Sequence, residues 1–383
     1  MSKARDIADS AATINYIDTA TSSIQAQIDA AGAEVERIER TSNTIIGNSN
    51  SGNLIVITSG TFTQTFDAAA TLGSGWFCYI KNTGEGDITL DPNGAETIDG
   101  LTSFILYPEE ARLIQSDGTN LNSVVLNPFY KRFTASSTFT KPPGYSGFTA
   151  SVLGAGGAGG GGGVTSGRGG NGGAGGSALE LTFRSADLSA TETVTVGAGG
   201  TSTSTTDGTD GGDTTFASLV GYGGGGGAKG DSYAVAIPAS IGGGIGGTTA
   251  ALAGHLYHSN GGGYAEWAGA GKYQFTGNNN AAGAGTGSLF GGASGGAGQL
   301  DAYAGGNGGR SRSRISFVGG AGGTPGNPGG DVTGEFAAGG GGSGARGGHG
   351  GYGSGGGGGG CTAAAVFEGG NGGDGLVDIW GLS

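Results

Sequence analysis

The chain has 383 residues, of which 95 are glycine, and a formal net charge of −13. Hydrophobic residues make up 35% and charged residues 12%. This is too few apolar residues for ordinary cores throughout, and too few charges for a solvated disordered chain. The negative charge disfavours binding to nucleic acid and to anionic membrane surfaces, which attract basic patches.

We expect no targeting signal from this sequence. The start "MSKARDIADS" lacks the apolar core of a signal peptide, so we expect synthesis in the cytoplasm without a cleaved leader. No apolar run is long enough to predict membrane insertion. Cys78 and Cys361 predict two buried or spare thiols rather than a disulfide framework.

The first segment, residues 1–46, carries a heptad repeat that predicts a parallel coiled-coil stalk. β-Branched residues at both core positions favour three or four strands over two, and of these we expect a homotrimer. The alternative is a lone amphipathic helix lying on a partner. The predicted trimer core consists of Ile7, Ile14, Ile28 and Val35 at position a, and Ile17, Ile24, Ile38 and Ile45 at position d.

Residues 47–127 predict a small β-module. About six short runs rich in Val, Ile, Phe, Tyr and Thr, such as "GWFCYIKN" and "ARLIQSDG", alternate with turn sequences such as Asp-Pro-Asn-Gly. This spacing is typical of a sandwich or barrel-like module.

A step in glycine content marks the next boundary, because only 13 of the 95 glycines lie in residues 1–150. We place the glycine-rich domain at residues 128–383. A flexible linker is the usual interpretation of such runs. Here, however, strand-like sequences interrupt them, and the motif GGNGG occurs at 169–173, 305–309 and 369–373. We therefore predict ordered, polyproline-II-like helices bonded to one another through their amides.

Several motifs resemble those of bacteriophage tail fibres. "CYIKNTGEGDITLDPNGAETIDGLTSFILYPEEARLIQSDGTN" is similar to a spacer module of that family. "FTASSTFTKPPG", "VLGAGGAGGGGG" and the closing "GGNGGDGLVDIWGLS" resemble the entry, first glycine run and last strand of its glycine-rich tips. The resemblance implies a virion protein of the phage tail, whose N-terminus binds other tail or baseplate proteins. It also implies that polyglycine helices display receptor-binding loops.

The predicted fold class is therefore mostly β, with a short N-terminal coiled coil, a small β-module and a glycine-rich sandwich in a homotrimer. Within that sandwich, receptor-binding side chains must come from the glycine-poor insertions. The richest insertion, 248–282, suits a glycan or an outer-membrane protein, because aromatic faces bury area at low entropic cost and amides add oriented hydrogen bonds. Its candidates are His255, Tyr257, His258, Tyr264, Trp267, Tyr273 and Phe275. The alternative is that these rings replace the missing core.

A second candidate is the run "GRSRSRISF", in which Arg310, Arg312 and Arg314 alternate with other residues. On a strand they would form one cationic face able to meet phosphate or carboxylate groups. A solvated face paired with the domain's own acidic residues is the alternative.

Other motifs indicate no metal, cofactor or catalytic site. Asp207, Asp210 and Asp213 are spaced three apart in a glycine loop, but the EF-hand pattern is missing, so a polar loop is favoured over a calcium site. "GGGGAKGDS" lacks the Ser or Thr that follows the lysine of a phosphate loop. The sequence thus predicts an adhesin without enzymatic activity. The alternatives are a structural connector of the tail and a depolymerising tailspike, for which no carboxylate pair is apparent.

Overall fold

The computed structural model describes residues 35–163, 169–230, 304–308, 319–332, 339–342, 344–362 and 364–382. The chain divides into two compact units, Met1–Asn127 and Pro128–Ser383. Within the described residues both units are mostly β, and the longest α-helix is the single turn α1 at Ala69–Leu72.

The first unit contains two β-sheets. Its strands are β1 (Arg37–Arg40), β2 (Leu54–Ile57), β3 (Phe62–Thr65), β4 (Phe77–Asn82), β5 (Ile88–Asp91), β6 (Phe104–Leu106), β7 (Ala111–Ser116) and β8 (Leu121–Asn127). One sheet has the order β1-β2-β4-β7-β8 and the other has the order β3-β5-β6. Every run of residues 47–127 that was predicted to be a strand contains one, because alternate residues such as Cys78, Ile80, Ile88 and Leu90 point into a shared core.

The stalk prediction is wrong for residues 35–46. Ile38 lies in β1, which pairs in parallel with β2, and its side chain packs against the core of the first unit. Val35 and Ile45 are exposed rather than in a helical seam. The heptad pattern extends into this segment, but Ile38 buries its side chain against the core by joining the sheet rather than a helix. The remaining predicted trimer-core residues, Ile7, Ile14, Ile17, Ile24 and Ile28, lie outside the described residues.

The second unit has a base of two four-stranded sheets, with strand orders β12-β11-β16-β9 and β10-β13-β14-β15. Rings from both sheets form the base core, with Phe139 set edge-on to Phe148 and Phe216 at 5.7 and 5.8 Å between centroids. The strands are β9 (Tyr130–Phe133), β10 (Ser137–Thr140), β11 (Gly147–Leu153), β12 (Ala178–Arg184), β13 (Thr191–Thr195), β14 (Thr214–Phe216), β15 (Leu219–Gly221) and β16 (Leu376–Leu382).

Six strands of the base are continuous with glycine-rich segments. β11 leads into 154–162, β13 into 197–202 and β15 into 222–230. Conversely, segments 169–177, 206–213 and 367–375 lead into β12, β14 and β16. The sheets therefore hold one end of each of these segments.

The central segment, 154–162, shows how bare backbone is ordered. Its N–H groups donate in turn to three antiparallel neighbours, each of which receives every third bond. Residues 154, 157 and 160 donate to segment 169–177, residues 155, 158 and 161 to 206–213, and residues 156, 159 and 162 to 367–375. A three-residue period with all bonds directed outward is the geometry of a polyproline-II-like helix.

Carbonyl groups of the central segment accept bonds from three further segments. Gly224, Gly227 and Gly230 of segment 222–230 donate to it, and so do Gly356 and Gly359 of segment 353–361 and Gly200 of segment 197–202. The central segment thus has six bonded neighbours, and its glycines are fully enclosed.

The register of the base sheet continues into the glycine helices. In the sheet, Leu153 lies opposite Ala178. Beyond this pair, the hydrogen-bonded partners are three residues later in the central segment and three residues earlier in segment 169–177 at each step. These pairs are Gly154 with Ser177, Gly157 with Ala174, and Gly160 with Asn171. The side chains of the base therefore fix the alignment of segments that have almost none of their own.

Candidate functional site: the distal end of the glycine array

We call the bundle of hydrogen-bonded glycine helices the array. Its distal end is the end opposite the base sheets. A nine-residue polyproline-II-like helix spans about 25 Å, so the central segment carries the chain that distance from the sheets. At this end the N–H of Gly161 donates to Thr206 and that of Gly162 donates to Phe367, at 3.1 and 2.9 Å. The connections 203–206 and 362–366 therefore lie there.

Hydroxyl side chains order both connections at the distal end. Residues 201–206 read TSTSTT, and the hydroxyl oxygens of Thr203 and Thr206 are 2.6 Å apart. Ser202 donates its hydroxyl to the carbonyl of Gly159 at 2.6 Å, which holds this connection against the central segment. In the 361–366 turn, the hydroxyl of Thr362 accepts the N–H of Ala365. Short polar side chains thus order the connections and keep donors and acceptors near solvent.

Segment 222–230 also reaches the distal end. Segment 222–230 runs parallel to the central segment from the base, and the N–H of its last residue, Gly230, donates to Gly161 at 2.9 Å. Gly230 therefore lies at the end farthest from the sheets.

The predicted receptor-binding residues lie outside the described part of the chain. This applies to the seven aromatic and histidine candidates between His255 and Phe275, and to Arg310, Arg312 and Arg314. Their predicted role is therefore untested.

The three aspartates of the 207–213 loop have a structural role. The Oδ1 atoms of Asp207, Asp210 and Asp213 accept the N–H groups of Lys229, Gly226 and Gly223 at 2.6, 2.7 and 2.8 Å. Elsewhere in the array such N–H groups donate to backbone carbonyls of a neighbouring helix. At this edge of segment 222–230 the aspartate carboxylates accept them instead. No group of three or more metal-binding side chains lies together in the residues that the structure describes.

Side chains also act as hydrogen-bond acceptors at the edge formed by segment 197–202. Asn371 and Asp374, again three residues apart, accept the N–H groups of Ser202 and Gly199 at 3.1 and 2.8 Å. Asn307 likewise accepts the N–H of Gly322. The asparagine of GGNGG is therefore an edge acceptor in two of the three copies. The sequence feature that indicates this role is the spacing of three residues in D-x-x-D-x-x-D, because it matches the three residues per turn of a polyproline-II-like helix.

The phosphate-loop interpretation is also excluded by these bonds. The N–H groups of Gly224, Gly227 and Gly230 donate to the central segment, while those of Gly223, Gly226 and Lys229 donate to the aspartates. A phosphate would need such groups free.

Ion pairs strengthen the array at its edges. Asp331 accepts from the guanidinium of Arg346 at 2.8 and 2.7 Å and from the N–H of His349 at 2.9 Å. The hydrogen bond from Arg346 lowers the pKa of Asp331 below its ordinary value. Partial burial of the carboxylate acts in the opposite direction but is the smaller effect. At the base, Arg132 forms two 2.8 Å hydrogen bonds to Asp378, which also accepts the hydroxyl of Tyr130 at 2.8 Å. Burial of the Tyr130 hydroxyl, followed by the charge of Asp378, raises the pKa of Tyr130 to about 12.

Comparison with known protein families gives one match. A family model described as a glycine-rich domain covers residues 133–379, which is more than half of the chain. The chain belongs to the glycine-rich domain family. No curated protein sequence matches it.

The extent of the match agrees with the structure. The glycine-rich domain as matched begins at Phe133, the last residue of β9, and ends at Ile379 within β16. β9 and β16 are adjacent strands of one base sheet, so the family includes the sheets as well as the glycine helices. Among the described residues, no helix is long and apolar enough to cross a bilayer.

Proposed function

We propose that the protein is a phage tail-fibre adhesin that binds a bacterial surface glycan or outer-membrane protein. In this proposal residues 1–34 form a trimeric stalk that attaches to other tail or baseplate proteins. The β-module acts as a spacer, and the glycine-rich domain displays receptor-binding loops. The resemblance of the β-module and of the glycine-rich entry to tail-fibre sequences supports this assignment.

The observation that carries the proposal is the position of Gly230. Gly230 is held against Gly161 at the distal end, and insertion 248–282, which contains the largest group of aromatic residues among the glycine-poor segments, comes later in the same stretch of chain. A rigid stem about 25 Å long that ends in an aromatic-rich insertion suits recognition at a surface. The glycine helices themselves are not suited to it, because their amides are bonded to each other.

Avidity would make weak contacts sufficient. Three copies of the insertion on one fibre would raise the effective concentration of the second and third binding events. A single glycan contact of modest affinity would then hold the particle. The proposal involves binding without turnover, and residues 255–275 together with Arg310, Arg312 and Arg314 are the proposed contacts.

Binding of the purified full-length chain to host cells tests the proposal. Trp267→Ala and Tyr264→Ala should weaken binding at least tenfold, since aromatic anchors at interfaces commonly contribute about 2 kcal/mol or more. Tyr222→Ala is the matched control, because Tyr222 is 41% exposed and lies next to the base sheet. This variant should bind as the parent does.

Two outcomes would contradict the proposal. If the full chain ignores cells but binds purified virion proteins through its glycine-rich domain, the protein is a connector. If host polysaccharide becomes shorter on incubation, the protein is a depolymerising tailspike.

A further inference from the structure

The outer face of the five-stranded sheet in the first unit carries a row of apolar residues, flanked by polar ones such as Gln115 and Asn122. The inner face buries residues such as Ile55, Ile80 and Ile114 in the core. On the outer face, four residues lie directly opposite one another across adjacent strands, in the order Leu54, Tyr79, Leu113, Val124. We call this set the apolar row.

Neighbouring residues widen the row. Phe77 precedes Tyr79 by two positions on β4, and their rings meet edge-on with centroids 5.9 Å apart. Val124 is 57% exposed, Leu126 53% and Phe77 36%. The sheet mixes parallel and antiparallel pairs, and contiguous apolar patches on its exposed face are of the kind that is often functional.

We propose that the apolar row is the surface through which copies of this chain pack against each other below the stalk. Strand spacing and rise give the face an extent of about 300 Å². A stable interface between free proteins needs about 800 Å² on each partner. The face is thus too small to hold a separate partner, but it is sufficient for copies already tethered together.

The position of the predicted stalk supplies that tether. The heptad residues Ile7 to Ile28 precede β1, and β1 is the edge strand of this same sheet. In register, the row continues from Leu54 to Arg37 of β1, which forms an ion pair with Glu39, and both side chains are more than half exposed. An apolar centre with a charged rim is the usual composition of a protein interface.

A different occupant of the row would be the predicted stalk folded back on its own chain. A helix of 34 residues would be about 50 Å long, whereas a five-residue strand is about 17 Å. Most of the isoleucine seam would then remain uncovered, so the observations favour a second copy.

Cross-linking of the full chain tests the inference. Val124→Cys places a thiol on the row, and the native Cys78 and Cys361 are both buried. A short bismaleimide should join copies of this variant into covalent dimers and trimers. Thr63→Cys is the matched control, because Thr63 is exposed on β3 in the other sheet. It should yield unlinked chains.

A second variant gives an independent measurement. Val124→Asp should raise the concentration at which the oligomer dissociates by about tenfold or more, because it introduces an unpaired charge into an apolar contact. Thr63→Asp should leave that concentration unchanged.

Two results would overturn the inference. One is an introduced thiol at position 124 that reacts freely without linking chains. The other is a thiol protected in a chain of monomeric mass, which would identify the folded-back stalk as the occupant. The inference rests on the proposed trimeric stalk, but the cross-link is measured without cells, so failure of cell binding would leave its outcome unaffected.

Discussion

A Cβ atom added to Gly156 would lie 2.0 Å from the carbonyl oxygen of Ser354. The neighbouring helix occupies that side of the central segment completely, and the same holds at Gly159 and Gly162, which face the carbonyls of Gly357 and Gly360 at 2.1 and 2.2 Å. Glycine is therefore required there because the backbones touch.

The sequence of the central segment follows this geometry. Ala155 and Ala158 are fully buried and lie three residues apart, in the row that continues to Gly161. A Cβ on Gly161 would be 2.6 Å from the nearest carbonyls, farther than at Gly156. The pattern GAGGAGG thus places its methyl groups on the least crowded side.

Gly156→Ala is predicted to destabilise the second unit by about 3 kcal/mol or more, because two backbones must separate to admit the methyl group. Gly161→Ala is the matched control in the same helix, and we expect a distinctly smaller loss. Denaturant unfolding of both variants provides the measurement. Equal losses would show that crowding between helices does not determine the glycine pattern.

Asp210→Ala is predicted to cost about 1–3 kcal/mol, because the buried N–H of Gly226 loses its acceptor. Asp210→Asn keeps a carbonyl oxygen at the same position and should retain most of the stability. Thermal unfolding distinguishes them. If the alanine and asparagine variants behave alike, the carboxylate is not acting as an edge acceptor.

Acid is predicted to weaken the edge at Asp331. Because its pKa is lowered in the folded protein, the carboxylate stabilises the fold above its ordinary pKa of about 3.9. This contribution is lost as the pH falls through the lower, folded-state value. The pair with Arg346 is partly exposed, so its contribution should be about 1 kcal/mol or less.

A double-mutant cycle isolates this pair. Asp331→Asn and Arg346→Gln, alone and combined, should give a coupling energy at pH 7 that decreases as Asp331 becomes protonated in acid. A coupling that persists in acid would refute an ionic origin.

The base core is predicted to determine the order of the glycine helices. Phe139→Ala removes a ring that contacts Phe129, Phe148 and Phe216 and should cost about 3–5 kcal/mol. Phe139→Leu keeps most of the apolar volume and should cost less. Because the sheets set the register, the second unit of both variants should unfold in one cooperative transition in calorimetry. A separate transition for the glycine helices would contradict this dependence.

Much of the fold follows from local sequence. Alternating runs such as "FCYIKN" predict strands because side chains at every second residue share a face. The ordering of the glycine runs was also predictable, because "ALELTF" and "GLVDIW" interrupt or end them with strand material. Ile38 was misassigned because a heptad position and a strand position carry the same residue type, and the tertiary core decides between them.

The candidate site was less predictable. The three aspartates suggested a polar loop, but their role as edge acceptors depends on segment 222–230 lying beside them, which no local pattern encodes. The six neighbours of the central segment are likewise a tertiary result, since glycine has no side chain that specifies a partner. The strands flanking each glycine run carry that information instead.

Amide hydrogen exchange across residues 154–162 of the full-length chain tests the central claim most directly. If these glycines form a helix bonded to six neighbours, exchange should be slowed by several orders of magnitude throughout, including at Gly157 and Gly160. Exchange at the rate of an unstructured peptide would show that the glycine runs are a flexible linker and would contradict the account.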